Sequence, residues 1–141
     1  MKHYDVVAAI IVHENKILCV QRNKNKYDYI SMKYEFPGGK IEVGETKEAA
    51  LTREINEELQ MNISINNEFL TVEYQYPDFE LTMYSFICQT KNPLLTLTEH
   101  IDYKWLNNHE LEVLDWAAAD IPIVKKLIQS DLSMIKSNSN E

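Results

Sequence analysis

Three glutamates near the middle of the chain have the residue type and the spacing to bind a metal ion. Glu54, Glu57 and Glu58 lie in a segment whose pattern is helical. At about 100° per residue, their side chains share one arc roughly 100° wide and form a single acidic patch. Carboxylates with no His or Cys among them make a hard oxygen site, which suits Mg²⁺, or Mn²⁺ in its place, better than zinc.

The alternative interpretation of this patch is a solvated acidic face of a helix. Glu54 and Glu58 are like charges at positions i and i+4, which repel each other. Glu57 and Glu58 also occupy the last helical turn, where the helix dipole favours cations. Residues 42–58 carry a net charge of −4, half of the chain's net charge of −8. A divalent cation would offset this local excess of negative charge.

The element that must position these acids is a helix from Thr46 to about Leu59. Thr46 has a side chain typical of an N-cap residue. Leu51, Ile55 and Leu59 recur every fourth residue and form an apolar stripe that we expect to face the core. The acids lie at the edge of this stripe, so the patch borders the protein interior.

A glycine pair precedes the helix. Gly38 and Gly39 lack a Cβ, so their backbone can approach another group closely and act as a ligand itself. The patterns GxxxxGK[ST] and GxGxxG are both absent, which excludes a P-loop and a Rossmann-type dinucleotide motif. A glycine pair alone is typical of an ordinary turn, but its fixed distance from the acidic helix favours a place in the site.

The remaining pattern predicts an α/β/α sandwich, a mixed sheet covered by helices on both faces. Residues 6–12 and 17–20 are predicted to form a hairpin of buried strands, residues 68–76 and 79–89 a second hairpin, and residues 102–106 one more strand. Asn108 is predicted to cap a short turn, and residues 118–128 to form the last helix. We expect a single domain over residues 1–132 and a frayed tail over residues 133–141.

Length and composition limit the class of protein. The chain has 141 residues, of which 45% are hydrophobic and 26% charged, as in an ordinary globular domain. A net charge of −8 has the wrong sign for a protein that holds a nucleic acid polymer by neutralising phosphates. Cys19 and Cys88 lie in apolar runs, which indicates reduced core thiols. The apolar run at residues 6–12 is too short for a membrane span and has no cleavage site, so we expect a cytoplasmic protein without a membrane partner.

The segment GGKIEVGETKEAALTREINEELQM closely resembles the Nudix box. Its fixed positions are Gly39, Glu45 after five residues, Arg53-Glu54-Ile55 after seven more, and Glu57-Glu58 after one more. The segments EFPGGKIEVGET, YPDFELT and ADIPIVKKL are similar to MutT-like nucleoside triphosphate pyrophosphohydrolases. One departure is Gln60, where the family usually has Gly just after the helix.

The resemblance implies a Nudix-type fold and a magnesium-dependent hydrolysis of (deoxy)nucleoside triphosphates to a monophosphate and pyrophosphate. It implies that Glu54, Glu57 and Glu58 hold magnesium together with the carbonyl of Gly38. The resemblance assigns the remaining catalytic roles as follows: Glu54 activates water, Arg53 orients the carboxylates, Glu45 supports the loop and the helix by hydrogen bonds, and Glu99 is a further metal ligand or base.

Several residues are candidates for contact with the substrate. Arg22 and Lys40 are candidates for the phosphates, with exposed surface cations as the alternative. Asp120 lies where MutT-like enzymes carry a base-reading Asn or Asp, and its carboxylate can accept hydrogen bonds from an exocyclic amino group. Its alternative role is a charge at the N-terminus of the last helix. Three aromatic residues are predicted to flank the base, with a place in the core as their alternative: Phe36, Tyr76, Phe79.

The expected substrates are nucleotides, with 8-oxo-dGTP first. The oxidised-guanine enzyme that matches best has Arg where this chain has Phe79, so (d)CTP or a modified cytidine triphosphate is the alternative. An ADP-ribose-type hydrolase is a further possibility. A nucleotide-binding module without catalysis is disfavoured, because pure binding would not need a water-activating Glu54. The partner is expected to be a small nucleotide, and the chain a monomer or a homodimer.

Overall fold

The structure, a computed structural model, describes residues 1–132, and the predicted tail at residues 133–141 lies outside them. Within residues 1–132 the elements are seven strands, two α-helices and two 3₁₀ turns. The strands are β1 (Lys2–His13), β2 (Lys16–Gln21), β3 (Tyr34–Glu35), β4 (Gly38–Lys40), β5 (Ser64–Gln75), β6 (Phe79–Gln89) and β7 (Asp102–Leu106). The helices are α1 (Lys47–Leu59) and α2 (Ile121–Ile128), and the 3₁₀ turns are Asn108–Val113 and Ala118–Asp120.

All seven strands belong to one mixed sheet. Its order is β3-β2-β1-β6-β5, with β4 beside β1 and β7 beside β2. β1 runs parallel to β6 from the Lys2–Phe79 pair to the Val12–Gln89 pair, and antiparallel to β2 and β4. The pairing of β4 with β1 sets Gly38 opposite Ala8, so the glycine pair is part of the sheet beside its central strand.

β1 alternates between the two faces of the sheet. Val7, Ala9 and Ile11 belong to a core cluster that α1 completes with Leu51, Ile55 and Leu59. Ala8, Ile10 and Val12 belong to a second cluster, which α2 completes with Ile123, Val124 and Leu127. The two helices therefore cover opposite faces, and the predicted α/β/α sandwich is confirmed. Both cysteines are buried and free as predicted, and burial raises the pKa of their thiols.

Two strands, β1 and β5, begin four residues earlier than predicted. β1 begins at Lys2 rather than at residue 6, because its pairing with β6 continues to Phe79. β5 begins at Ser64 rather than at residue 68. The register of β5 on β6 shifts twice, between Ile65 and Asn67 and between Glu68 and Leu70. Such irregularities break the alternation of polar and apolar residues from which a strand is recognised.

The C-terminal elements also differ from the prediction. The cap of the first 3₁₀ turn is Asn107, not Asn108. The side chain of Asn108 instead donates to the carbonyls of Leu127 (2.9 Å) and Ser130 (2.8 Å). The last helix begins with a 3₁₀ turn before α2. Pro122 has no N–H to donate to the carbonyl of Ala118, and the N–H of Ile121 donates to it instead. No helix within residues 1–132 has both the length and the apolar character needed to cross a membrane.

The ends of α1 place the acidic patch. Thr46 is the N-cap as predicted, and its hydroxyl accepts a hydrogen bond from the N–H of Ala49 (3.0 Å). At the other end Gln60 takes a left-handed conformation (φ 53°), and its N–H donates to Asn56. The helix thus ends at the position where the family usually has glycine. Gln60 has a Cβ, so the left-handed conformation strains it by about 1 kcal/mol.

Candidate active site

The glycine pair lies against both the sheet and the acidic helix. A Cβ at Gly38 would overlap the carbonyl of Val7, and a Cβ at Gly39 would overlap the carboxylate of Glu54. The carbonyl of Pro37 also accepts from the N–H of Ala9 (2.8 Å), which holds this loop against β1. Both glycines are therefore required by close approach, and the backbone of Gly39 and the Glu54 side chain are in direct contact.

Glu54 and Glu58 lie side by side at the buried end of the patch. Glu58 is only 5% exposed, and its carboxyl group lies close enough to that of Glu54 for the two groups to interact electrostatically. Burial, together with the charges of Glu35, Glu54 and Glu99, raises the pKa of Glu58 to about 9. Burial also raises the pKa of Glu54, although the neighbouring Arg53 opposes this. The pair is thus a place where negative charge is costly unless a cation balances it.

Arg53 holds the other acids of the motif in a frame. Its guanidinium donates to Glu45 (2.6 and 2.9 Å), to Glu57 (3.2 Å) and to the carbonyl of Lys40 (3.1 Å), and lies 3.4 Å from Glu54. Hydrogen bonds from Arg53 and from the N–H of Glu42 lower the pKa of Glu45 to about 2. Glu45 and Arg53 therefore tie the loop after β4 to α1, as the predicted supporting and orienting roles require.

Glu57 is the exposed member of the three acids. Its side chain is 56% exposed and faces Arg53. Within residues 1–132, no three His, Cys, Asp or Glu side chains are gathered closely enough to hold a metal ion between them. The donor set nevertheless fits a divalent cation, because the Oε1 atom of Glu58 is buried without a hydrogen-bond partner in the described residues. A buried carboxylate oxygen without a donor is the atom that a hard cation would satisfy.

The loop between β6 and β7 closes over the end of α1. The hydroxyl of Thr98 donates to the carbonyls of Glu57 (2.8 Å) and Glu58 (3.1 Å), and the N–H of Thr98 also donates to Glu58 (3.1 Å). The N–H of Thr96 donates to Leu59 (2.9 Å). These donors pair carbonyls that a helix end leaves free, and they bring the next residue, Glu99, to the acidic patch.

Replacing Thr98 by valine should loosen this closure. Valine keeps the shape but loses the hydroxyl that donates to two carbonyls, so we expect a loss of about 1 kcal/mol in the free energy of unfolding. Because Glu99 follows directly, we also expect a lower kcat. Urea unfolding and steady-state kinetics measure the two effects. T96V is the matched control, since Thr96 donates through its backbone N–H, and equal effects of the two substitutions would contradict this account.

Two adjoining cavities contain most of the predicted residues. One, of about 450 Å³, is lined by two acids of the patch, Glu54 and Glu58, and by three other glutamates: Glu35, Glu42, Glu99. The other, of about 840 Å³, is lined by the candidates for base contact: Phe36, Tyr76, Phe79, Asp120. Arg22, Lys40, Gly38 and Gly39 line both cavities. The two predicted phosphate-binding cations therefore lie at the boundary between an acidic cavity and a larger one that contains an aromatic wall.

Asp120 is buried beneath the larger cavity. Its Oδ2 atom accepts a hydrogen bond from the N–H of Phe36 (3.0 Å), and it makes no capping hydrogen bond to α2. Burial raises its pKa well above the usual range, and the charge of Glu35 adds to the shift. Its side chain thus bonds the backbone before the glycine pair rather than the start of α2, and its contact with the base stays a prediction.

The aromatic wall of this cavity is larger than the sequence indicated. Phe36 packs on Trp116 with ring centroids 4.7 Å apart, and Tyr76 accepts from the N–H of Ala119 (2.9 Å), so both are core residues as well as lining residues. Tyr27 also lines the cavity, and Tyr29 packs against the lining tyrosines; neither was predicted. Tyr29 stacks on Tyr76 (5.2 Å) and on Tyr27 (5.3 Å).

The loop that carries these tyrosines had one detectable feature in the sequence. Residues 23–29 are polar and aromatic without periodicity, which is typical of a shaped loop. The hydroxyl of Tyr29 donates to Asp78 (2.6 Å), which ties this loop to the turn between β5 and β6. Lys40 makes a cation–π contact with Tyr4, with Nζ 4.1 Å from the ring centroid, and this contact positions the Lys40 side chain.

Replacing Gly39 by alanine should lower kcat by roughly 10²-fold, because the new Cβ displaces the Glu54 carboxylate and a shift of about 1 Å at a reacting group has that effect. We expect only a small loss of stability, since the group that must move is the end of a flexible side chain. G44A is the control: its φ of +87° makes alanine strained, but nothing lies within 4 Å of the added Cβ. A G39A protein with the wild-type kcat would show that the position of the Glu54 carboxylate does not matter for the reaction.

The site combines acidic side chains that can bind a cation with cationic side chains that can bind an anion. This arrangement is expected of a hydrolase that acts on phosphate anhydrides. A family model described as the NUDIX domain matches residues 1–127. The chain belongs to this family, and the predicted family, fold and enzyme class, a Nudix pyrophosphohydrolase, are confirmed. A divalent metal and a small nucleotide are the coarse cofactor and substrate classes that membership implies.

Relatives of the chain cover nearly its whole length. It is 31% identical over 127 residues to the 8-oxo-dGTP diphosphatase of Escherichia coli (strain K12), covering 90% of this chain and 98% of that protein. It is 30% identical over 125 residues to the CTP pyrophosphohydrolase of the same organism, covering 89% and 91%. It also resembles the solved structure of DNA mismatch repair protein MutT (family Nudix hydrolase) from methicillin resistant Staphylococcus aureus 252, with a TM-score of 0.71, 40% identity, and coverage of 92% and 98%.

Proposed function

We propose that the protein is a magnesium-dependent pyrophosphohydrolase of (deoxy)nucleoside triphosphates, with 8-oxo-dGTP among its substrates, and that the products are the nucleoside monophosphate and pyrophosphate. The observation that carries this proposal is the buried Oε1 atom of Glu58, which has no hydrogen-bond partner among the described residues. It lies beside Glu54 in a cavity whose lining residues Arg22 and Lys40 also line the aromatic pocket. A triphosphate spanning this boundary would place its base against the aromatic wall and its phosphates at the acids.

We assign the metal-binding role to Glu54 and Glu58 with the carbonyl of Gly38. Glu57 would join them by exchanging its hydrogen bond with Arg53, and Glu99 would approach from the loop that Thr98 holds in place. When bound, magnesium neutralises phosphate oxygens and lowers the pKa of a water molecule.

The side chains then have separate tasks. Arg53 keeps the acids in one orientation through its hydrogen bonds to Glu45 and Glu57. Glu54 or Glu99 accepts the proton from the attacking water as the new P–O bond forms and the bridging P–O bond breaks. Arg22 and Lys40 stabilise the charge on the phosphates from the side opposite to the acids.

A (d)CTP-type substrate is the second candidate. Asp120 lies below the aromatic pocket, where burial favours its neutral form. An exocyclic amino group such as that of cytosine would favour the ionised carboxylate, which accepts its hydrogen bonds. Phe79, half-buried beside Tyr76 (5.2 Å between ring centroids), adds apolar surface to this wall and no donor. The similarity to a CTP pyrophosphohydrolase agrees with this alternative.

The test is a panel of natural and modified triphosphates with magnesium, ranked by kcat/KM, with the products separated by chromatography. We expect pyrophosphate and a monophosphate in equal amounts. Orthophosphate as the only released product would refute the proposal. The E58Q variant, purified in parallel, shows whether a contaminating phosphatase causes the turnover. Tight binding of a triphosphate without hydrolysis would instead indicate a binding module. The cytoplasmic location, the single domain and the choice between monomer and homodimer stay predictions.

A further inference from the structure

A buried histidine next to the acidic cavity has no role in the proposed mechanism. His100 follows Glu99 in the loop before β7, and its side chain is only 6% exposed. The N–H of the following residue, Ile101, donates to the carbonyl of Gln21 (3.0 Å), so the backbone here is pinned to the end of β2. Buried polar side chains are normally retained for the hydrogen bonds that they make.

His100 makes one such hydrogen bond, to Glu35. Its Nε2 atom lies 2.9 Å from Oε2 of Glu35, and because a carboxylate oxygen only accepts, Nε2 must carry the proton. The Nδ1 atom of His100 is buried and has no hydrogen-bond partner among the described residues. His100 lines the acidic cavity, but Nε2 is bonded to Glu35 and Nδ1 is buried, so neither ring nitrogen is free to bond a substrate.

Glu35 links His100 to Arg22 at the boundary between the two cavities. Its second oxygen, Oε1, accepts from Nη1 of Arg22 (3.2 Å), and Glu35 lines both cavities. Glu35 thus holds Arg22 with one carboxylate oxygen and His100 with the other, so the orientation of the Glu35 carboxylate sets the position of the Arg22 guanidinium.

We propose that His100 is a positioning residue for the substrate phosphates. By fixing the Glu35 carboxylate, it holds the Arg22 guanidinium at the boundary of the two cavities, ready for a polyphosphate and away from the metal-binding acids. This inference rests on the proposed function, in which Arg22 binds the phosphates. It predicts that loss of the His100–Glu35 contact weakens binding of the triphosphate more than it slows the chemical step.

Two substitutions separate the hydrogen bond from the packing. Glutamine can place its amide nitrogen near the position of Nε2, whereas asparagine reaches only the position of Nδ1. We expect H100N to raise KM about tenfold with kcat within about threefold of wild type, since a hydrogen bond to a charged group is lost. We expect H100Q to keep KM within about threefold of wild type. H109N, at an exposed histidine, should change neither constant.

A binding measurement gives a second readout. Calorimetric titration with the α,β-methylene analogue of dGTP, which is not hydrolysed at that bridge, should show the same tenfold loss of affinity in H100N. On the background of R22A, the H100N substitution should add less than about twofold, because its effect is transmitted through Arg22.

Three results would overturn the inference: an unchanged KM and affinity in a folded H100N protein, equal effects of H100N and H100Q, or a full tenfold effect of H100N on top of R22A. If the wild-type protein hydrolyses no triphosphate but binds the analogue, the proposed function fails and the affinity series still decides the role of His100. If it neither hydrolyses nor binds, both fail.

Discussion

Replacement of Glu58 by glutamine is expected to lower kcat by roughly 10³-fold, about 4 kcal/mol of transition-state stabilisation, and to make the metal-free protein more stable at alkaline pH. Glutamine has the same size, so the core around position 58 should keep its packing. What changes is the charge, because an amide cannot ionise and is a poor ligand for magnesium.

The direction of the pH effect follows from the raised pKa. The pKa of Glu58 is about 9 in the folded protein, against an ordinary 4.5. Between these values the folded state keeps a proton that the unfolded state has lost, so the free energy of unfolding contributed by this group falls as the pH rises from about 4.5 to about 9. E58Q removes this contribution. Its stability relative to the wild type should therefore increase across that range.

Thermal unfolding with and without magnesium checks both parts. Magnesium should raise the melting temperature of the wild type and change that of E58Q little. E48Q, at an exposed glutamate in the first turn of the same helix, is the control for removal of one acid and should keep both activity and the magnesium response. If E58Q retained more than a tenth of the wild-type kcat, or if its stability followed the same pH dependence as the wild type, Glu58 would not be the buried metal ligand.

The acidic helix could be predicted from local rules alone. Leu51, Ile55 and Leu59 define its buried face, and Thr46 defines its start. The same periodicity places Glu58 nearer to this stripe than Glu57, in agreement with a buried Glu58 and a Glu57 that is 56% exposed. What the helical pattern does not contain is the orientation of the Glu57 side chain, because that depends on Arg53 and on the loop to which Arg53 is bound.

The contacts that surround the acids come from distant parts of the chain. His100 reaches Glu35 because β7 pairs with β2 and β2 pairs with β3, and no local pattern reports such pairing. Tyr29 reaches Tyr76 from a loop without periodicity. The Thr98 hydroxyl caps a helix that ends about forty residues earlier in the chain. Residues of this kind are positioned by the sheet order, so they become visible only when the fold is known.

Asp120 is the position at which a substitution should change substrate choice rather than rate. D120N keeps an oxygen that can accept from the N–H of Phe36, so we expect the fold to persist. The atom facing the pocket changes from an acceptor to an amide donor. If Asp120 reads the base, the ratio of kcat/KM for dCTP to that for dUTP should fall by roughly 10- to 100-fold, because the two bases differ in an amino group and a carbonyl at one ring position.

The D120A variant separates this role from a structural one. Alanine leaves the buried N–H of Phe36 without an acceptor, which we expect to reduce the free energy of unfolding by about 1–3 kcal/mol. If Asp120 serves only to hold Phe36, then D120N should have the wild-type dCTP to dUTP ratio, and only D120A should lose activity, on every triphosphate alike. If Asp120 reads the base, D120N changes the dCTP to dUTP ratio. The stability of D120N should equal or exceed that of the wild type, because burial raises the pKa of Asp120 by disfavouring its charged form, and asparagine carries no charge.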